Sequence, residues 1–218
     1  MIGNTDFSTA YQHNGKLLYI NKLIIPLPYD FDMTGWVNPS YQVVNETLNI
    51  NSVKDSEITF LEGYLWDEGE PKKAFEKAIE CSNKVAISLS DLFCVERHKP
   101  HFLNLVKNKL DITFANEQEI MSLINTKDFN QVITFGKELG KTIVITRGEK
   151  GSIAINKNEV IECNSKKNLK IVDLTGAGDL FAAGFLHGLI NNLTIKESLE
   201  KGTEMSSKII QKIGARLD

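Results

Sequence analysis

The chain has 218 residues, of which 42% are hydrophobic and 24% are charged. This size and composition are typical of one globular α/β domain with room for a small accessory piece. The net charge of −3 gives no basic surface for nucleic acid. No apolar run approaches the ~18 residues of a membrane span, and no signal-peptide pattern opens the chain. Three scattered cysteines predict reduced thiols, so we expect a cytoplasmic protein.

The first 50 residues show no regular alternation of helix and strand patterns. Residues 16–26 and 41–48 have the composition of strands, but proline and glycine interrupt the sequence around them. We predict an irregular or β segment over residues 1–50, acting as a lid or edge ribbon. Residues 51–218 are predicted to form the α/β domain.

From residue 57 onward, strand and helix patterns alternate. Strands are predicted at residues 57–61, 84–89, 110–114, 142–146 and 170–172, with a hairpin at 152–155 and 159–163. Helices are predicted at residues 71–82, 95–107, 117–124, 129–139, 179–190 and 195–213. This alternation predicts a three-layer α/β fold, with a mostly parallel sheet covered by helices on both faces. In such folds ligands bind at the carboxyl ends of the strands.

The most informative segment is residues 173–179, which reads Asp-Leu-Thr-Gly-Ala-Gly-Asp. Gly176, Ala177 and Gly178 stand where a helix begins, and the backbone N–H groups of such a turn bind an anion such as phosphate. Asp179, in the first helical turn, adds a proton acceptor beside that anion site. An anion site and a base are what phosphoryl transfer to an alcohol requires.

Other interpretations of this segment exist. An aspartate near a helix start is also favoured by capping and by the helix dipole, whether or not a ligand binds. A dinucleotide fingerprint would need glycine where Phe181 stands, and a later strand carrying an acid. The sequence contains no P-loop pattern.

The pattern from Asp173 through Leu186 resembles the C-terminal signature of the ribokinase-like (PfkB) family of carbohydrate and nucleoside kinases. The resemblance implies a ribokinase-like fold, ATP as phosphate donor, an anion hole at Gly176–Gly178 and Asp179 as the general base. Many members carry a small or β-branched residue where this chain has Leu174, a position not expected to take part in chemistry.

Asn116 and Glu119 follow a predicted strand and match the family's N-x-x-E motif. The resemblance implies that they place Mg²⁺ and the nucleotide phosphates, with the metal held directly or through water. Hard oxygen ligands are what Mg²⁺ prefers. The same spacing is that of a capping box, with Asn as N-cap and Glu at the third helical position. Co-occurrence with the Asp173–Asp179 motif favours the magnesium interpretation.

Two further segments resemble parts of the family's nucleotide and ion sites. Thr146, Gly148 and Gly151 resemble the strand-end segment that lies along the nucleotide, although a tight glycine turn explains the two glycines equally well. Asp173 and Thr175 resemble residues near a monovalent-cation site, so activation by K⁺ is a further hypothesis. Thr175 is also assigned to the nucleotide site.

The strand ends at residues 60–66, 89–93 and 111–116 resemble the adenosine-kinase-like branch of the family. Glu62 and Asp91 would face the acceptor side of the crevice, although an isolated acid at a strand end also serves as a cap or lies in a solvated loop. The resemblance implies a nucleoside acceptor, adenosine first, and a role in purine salvage. A sugar kinase is the alternative.

The family's N-terminal Gly-Gly element is missing from the sequence, and residues 1–50 do not align with that region. The chain is therefore expected to be a fragment of a longer kinase or a short divergent relative, with an incomplete acceptor half. A non-catalytic nucleotide-binding remnant is a third interpretation. The acceptor, the activity of the chain alone and the oligomeric state, for which a homodimer is one option, stay open.

Overall fold

The computed structural model describes residues 24–26, 50–66, 70–215 and 217. Within them, the strands form a seven-stranded sheet in chain order. The strands are β1 (Ile24–Pro26), β2 (Ile58–Glu62), β3 (Val85–Ser88), β4 (Ile112–Asn116), β5 (Thr142–Thr146), β6 (Ser152–Asn156) and β7 (Glu159–Cys163). β1 to β5 are parallel, and β6 and β7 are antiparallel to their neighbours.

The described helices are α1 (Ile50–Asp55), α2 (Glu70–Cys81), α3 (Leu92–Asn108), α4 (Glu117–Leu123), α5 (Phe129–Leu139), α6 (Ala177–Ile190) and α7 (Ile195–Ile209). Two short 3₁₀ turns follow β2 and β5, at Gly63–Trp66 and Gly148–Lys150. α3 bends at His98, because Pro100 has no N–H to donate and its ring disturbs the preceding turn. None of these helices has the length and apolar character that a membrane span needs.

Strands β2 to β7 send alternate side chains into two separate apolar cores. On one face, Leu61 and Ile87 pack with residues of α2 to α5, such as Phe102. On the other face, Phe114 packs with residues of α6 and α7, such as Phe185. Because α2 to α5 pack on one face of the sheet, the other face is left to α6 and α7. The predicted three-layer α/β fold is confirmed.

The predicted strands and the hairpin lie within two residues of the observed ones, with one exception. Residues 170–172 are not a strand, because the Val172 N–H donates to the Ile210 carbonyl just after α7 (2.8 Å) instead of to a sheet neighbour. The predicted last helix is also too long. The observed helix α7 ends at Ile209, and it is followed by a turn in which Gly214 adopts a left-handed φ of 84°.

Two other differences concern helix starts and the first 50 residues. α6 begins at Ala177, two residues earlier than predicted, and α1 was not predicted. Most of the segment predicted as a lid or edge ribbon lies outside the described residues. Its residues 24–26 form β1, which pairs in parallel with β2 at one edge of the sheet. The division of the chain near residue 50 stays a prediction.

Candidate active site

A cleft of about 690 Å³ lies at the carboxyl ends of β2 to β5, against the start of α6. This volume is in the range of small-molecule sites, and the position is where parallel α/β sheets bind ligands. Its lining combines strand-end polar residues with the loop before α6: Glu62, Tyr64, Ser88, Ser90, Asp91, Asn116, Glu119, Thr146, Thr175, Gly176, Ala177, Gly178 and Asp179, with Phe114, Ala115, Val144, Leu174, Phe181 and Ala215.

The start of α6 lines the cleft with the backbone of the predicted anion site. Gly176 is the N-cap residue with a φ of 75°, and a Cβ there would lie 2.8 Å from the Cβ of Ala215, so this position requires glycine. Gly176 itself has no side chain that could cap the helix. A Cβ built on Gly178 meets no described atom within 4 Å, so that position faces open space. The first-turn backbone can therefore approach an anion closely.

Asp179 lies in the first turn of α6, half-buried, and lines the same cleft. It is thus beside the backbone amides of the predicted anion site. A carboxylate in this position can accept a proton from a hydroxyl group bound next to the anion. Its role as a base stays a prediction.

Asp173 does not line the cleft but organises the loop before α6. Its Oδ1 accepts from the Thr175 N–H (2.9 Å) and the Thr175 hydroxyl (2.7 Å), and its Oδ2 accepts from the Gly214 N–H (2.8 Å). These bonds, led by that of the Thr175 N–H, lower the pKa of Asp173. The carboxylate therefore joins this loop to the turn after α7, while a role with K⁺ stays a hypothesis.

Asn116 and Glu119 form the capping box that their spacing predicts. The Asn116 side chain accepts from the Glu119 N–H (2.9 Å), and Glu119 Oε2 accepts from the Asn116 N–H (2.8 Å). Asn116 Nδ2 also donates to Glu119 Oε1. Both residues line the cleft, so the structural and the ligand-binding interpretations are compatible.

The Glu119 carboxyl is only 5% exposed. Burial raises its pKa to about 7, opposed by the bond from the Asn116 N–H and reinforced by the charge of Asp91. A cation beside this carboxylate would offset the cost of burying its charge.

The electrostatic character of the lining fits a cation that accompanies an anionic ligand. Four carboxylates line the cleft, those of Glu62, Asp91, Glu119 and Asp179, and the described lining has no lysine, arginine or histidine. The described residues hold no group of three or more Asp, Glu, His or Cys side chains arranged as a metal site. That Glu119 and Asn116 hold Mg²⁺, directly or through water, stays a prediction.

The predicted nucleotide residues after β5 divide into two groups. Thr146 lines the cleft and pairs with Asn116 across β4 and β5. Gly148 and Gly151 do not line it. Gly151 has a φ of 88°, and a Cβ there would collide with the Cys163 carbonyl, so the turn into the hairpin accounts for this glycine. Nucleotide binding by these two glycines stays a prediction.

The cleft also contains Glu62 and Asp91, together with Tyr64 and Ser90. Ser90 Oγ donates to Glu62 Oε2 (3.1 Å), and the Tyr64 hydroxyl donates to the Ser90 carbonyl (3.4 Å). Burial and the nearby carboxylates raise the pKa of Tyr64, so its phenol stays neutral. Asp91 also caps α3 by accepting from the Phe93 N–H (3.2 Å).

Tyr64 and Ser90 belong to the predicted strand-end segments 60–66 and 89–93 but received no role of their own, and Ser88 was missed. The signal that could have found them is their position directly at the ends of β2 and β3. β3 is the neighbour of β4, which carries the N-x-x-E motif, and β2 lies on the other side of β3.

The sequence from residue 37 to residue 218 matches the family model described as pfkB family carbohydrate kinase. The chain belongs to this family. The match includes every residue of the cleft described above.

Individual relatives agree with this membership but are longer than the matched region. An ATP-dependent 6-phosphofructokinase from Thermoanaerobacterium thermosaccharolyticum is 37% identical over 112 residues, which cover 50% of this chain and 34% of that protein. An adenosine kinase structure from Sinorhizobium meliloti superposes with a TM-score of 0.76 at 34% identity, covering 81% of this chain and 55% of that one. The structure of a probable sugar kinase from Rhizobium etli CFN 42 superposes with a TM-score of 0.73 at 35% identity, covering 78% of this chain and 53% of that one. The chain thus spans about half of the length of these two related proteins.

Proposed function

We propose that this pfkB family member transfers a phosphoryl group from ATP to a hydroxyl group of a small molecule. The observation that carries the proposal is the position of Asp179 in the first turn of α6, directly after the exposed backbone of Gly176–Gly178. The cleft joins these groups to Asn116 and Glu119 on β4 and α4.

In this proposal Asp179 accepts the proton of the acceptor hydroxyl as its oxygen attacks the γ-phosphorus of ATP. The new oxygen–phosphorus bond forms while the bond from the γ-phosphorus to the bridging oxygen breaks, and ADP leaves. The N–H groups at the start of α6 donate to the phosphoryl oxygens, whose charge changes during transfer. The open space at Gly178 permits this close approach.

Asn116 and Glu119 are the residues that would hold Mg²⁺, directly or through water. A bound Mg²⁺ would offset the negative charge of the phosphates. Without it, the phosphates would face four carboxylates in the cleft with no lining cation, which electrostatic repulsion opposes.

The acceptor proposed first is a nucleoside, with adenosine phosphorylated at its 5′ hydroxyl. Support comes from the strand-end segments that resemble adenosine kinases and from the likeness to the Sinorhizobium meliloti adenosine kinase structure. A sugar is the second candidate, because relatives named as a 6-phosphofructokinase and a probable sugar kinase are comparably similar. A role in purine salvage follows only if the first candidate is correct, whereas the proposed cytoplasmic location rests on the reduced thiols expected of the three scattered cysteines.

The acceptor assignment is tested by incubating the full chain with MgATP and a panel containing adenosine, cytidine, ribose, fructose and fructose 6-phosphate. Phosphorylated products are identified by mass spectrometry. We expect 5′-phosphorylation of adenosine. Transfer to a sugar alone would reject the nucleoside assignment, and MgATP binding without transfer to any acceptor would favour the non-catalytic remnant.

A further inference from the structure

A cluster behind the cleft wall joins two strand ends and involves Glu117, Arg147, Lys150 and Phe129. Arg147 Nε donates to Glu117 Oε2 at 2.8 Å, and Lys150 Nζ donates to Glu117 Oε1 at 3.1 Å. The side chains of Arg147 and Glu117 are 20% and 23% exposed, whereas that of Lys150 is 64% exposed. The Arg147–Glu117 pair is therefore much better shielded from solvent than the Lys150–Glu117 pair.

The Arg147 guanidinium also stacks on an aromatic ring. Its central carbon lies 4.0 Å from the ring centroid of Phe129, the first residue of α5. A guanidinium has the flat, charged shape that both stacks on a ring and donates to a carboxylate at its edge. Arg147 therefore contacts both α4 and α5 while remaining part of the segment that follows β5.

The backbone around Arg147 forms a closed turn. The Arg147 N–H donates to the Gly151 carbonyl (2.8 Å), and the Lys150 N–H donates to the Arg147 carbonyl (3.1 Å). Fixing the Arg147 side chain thus fixes the whole turn from residue 147 to residue 151. The conformation of that turn therefore influences the position of Thr146, the residue directly before it.

The two ion-paired residues each follow a residue of the cleft. Glu117 comes directly after Asn116, and Arg147 comes directly after Thr146. Asn116 and Thr146 are paired neighbours at the ends of β4 and β5, and both line the cleft. Neither Glu117 nor Arg147 is among the described residues that line it. The ion pair therefore acts on the cleft from behind, through the backbone.

We propose that Arg147 is a positioning residue for the nucleotide, which it serves by holding the Thr146 end of β5 against the Asn116 end of β4 through Glu117 and Phe129. This inference rests on the proposed binding of ATP in the cleft. It assigns to Arg147 an effect on nucleotide affinity and not on the proton transfer at Asp179, which lies on the separate helix α6.

The test measures the Kd for MgATP by titration calorimetry on the full chain and on Arg147→Ala, Arg147→Lys and Glu117→Gln, with Lys150→Ala as the matched control. Arg147→Ala removes the shielded ion pair and leaves the partly buried Glu117 with the exposed Lys150, so the Thr146 end of β5 is held less firmly against β4. We therefore expect Arg147→Ala to raise the Kd for MgATP by about 5- to 20-fold. Arg147→Lys keeps the charge but not the flat stacking group, so it should restore affinity only in part. Lys150→Ala should change the Kd by less than about 2-fold, as exposed ion pairs contribute little.

Turnover adds a readout that a purely structural role would not change selectively. Arg147→Ala should raise the KM for ATP while leaving the KM for the acceptor and kcat within about 3-fold of the wild type. A lower melting temperature with unchanged MgATP affinity would overturn the proposal, as would an equal effect of Lys150→Ala. If Arg147→Ala does not fold, Arg147→Lys and Glu117→Gln decide the question by the same measurement.

Failure of this inference and failure of the proposed function are distinguishable. If the wild type binds MgATP but phosphorylates no acceptor, phosphotransfer is rejected and the comparison of Kd values still decides the role of Arg147. If the wild type does not bind MgATP, both proposals are overturned.

Discussion

At the residue scale, Gly176 and Gly178 illustrate two different reasons for a glycine at a helix start, namely a requirement of the fold and close approach of a ligand. Gly176 has a left-handed φ and lies against Ala215, so the fold itself requires it. Gly178 has helical backbone and open space where a Cβ would lie, so the fold does not require it. A glycine that the fold does not need, at the mouth of a cleft, is explained by close approach of a ligand.

This difference gives the first prediction, for Gly178→Val. Because glycine and valine differ by less than about 0.5 kcal/mol in helix propensity, the free energy of unfolding should change little. The valine side chain would occupy the space of the phosphate, so kcat/KM for ATP should fall by about 10-fold or more. Urea unfolding and steady-state kinetics provide the two measurements.

Gly176→Ala is the matched comparison, since it should lower stability as well as activity. Wild-type kinetics in Gly178→Val would contradict the anion-site interpretation of the α6 start. A large loss of stability in that variant would contradict the structural distinction between the two glycines.

The second prediction concerns Glu119, whose pKa burial raises from an ordinary value of 4.5 to about 7. The folded state therefore binds more protons at this site than the unfolded state between these two values. Stability must then decrease as the pH rises through that window. Between pH 5 and pH 8 the wild type should lose about 2–3 kcal/mol more of its unfolding free energy than Glu119→Gln, which cannot ionise.

Urea unfolding at the two pH values measures this difference in the absence of metal. Glutamine retains an acceptor for the Asn116 N–H, so the capping bond survives in the variant. Parallel pH dependences in the two proteins would show that the Glu119 carboxyl is not destabilised by burial. The same variant should need more Mg²⁺ for half-maximal activity, and an unchanged requirement would leave Glu119 with the capping role alone.

At the element scale, Asp173 connects the loop before α6 to the turn after α7. The third prediction is that Asp173→Asn, which keeps one acceptor oxygen and loses the other, weakens the bond from the Gly214 N–H. Ala215 would then be released from Gly176, so we expect the melting temperature to fall by a few degrees and the KM for ATP to rise. Differential scanning fluorimetry and kinetics measure both effects.

The same variant separates the anchoring role from the K⁺ hypothesis. If Asp173 acts only through the loop, rates in potassium and in tetramethylammonium should be equal for the wild type. A rate that depends on potassium in the wild type and not in Asp173→Asn would instead support a cation site at this loop. An unchanged melting temperature together with unchanged kinetics would contradict the anchoring role.

At the scale of the whole molecule, the order of the strands explains which parts of the site could be predicted. Asp179, Gly176 and Gly178 belong to one short motif, and Asn116 and Glu119 to another, and the resemblance of both motifs to those of the family is what pointed to these residues. Tyr64 and Ser90 enter the cleft because β2, β3 and β4 are consecutive strands of the sheet, so that their ends meet at one edge. Such neighbours depend on the packing of strands that are distant in sequence.

The difference between local patterns and contacts between distant residues also explains why a strand was wrongly predicted at residues 170–172. Their β-branched composition favours a strand, but the Val172 N–H is taken by a carbonyl at the end of α7, about 40 residues away in sequence. The early end of α7 belongs to the same tertiary contact, since the turn after it provides the Gly214 N–H to Asp173. Local patterns identified the elements, and long-range hydrogen bonds decided their ends.

The most direct test of the central claim is phosphoryl transfer by the full chain and by Asp179→Asn. Transfer from γ-labelled ATP to adenosine is followed under single-turnover conditions, and MgATP affinity is measured in parallel. Asp128→Asn, which replaces an N-cap carboxylate outside the cleft, controls for the change in charge. We predict that Asp179→Asn binds MgATP like the wild type but transfers phosphate at least about 100-fold more slowly, because the amide cannot accept the proton. Near-wild-type transfer by Asp179→Asn would contradict the account.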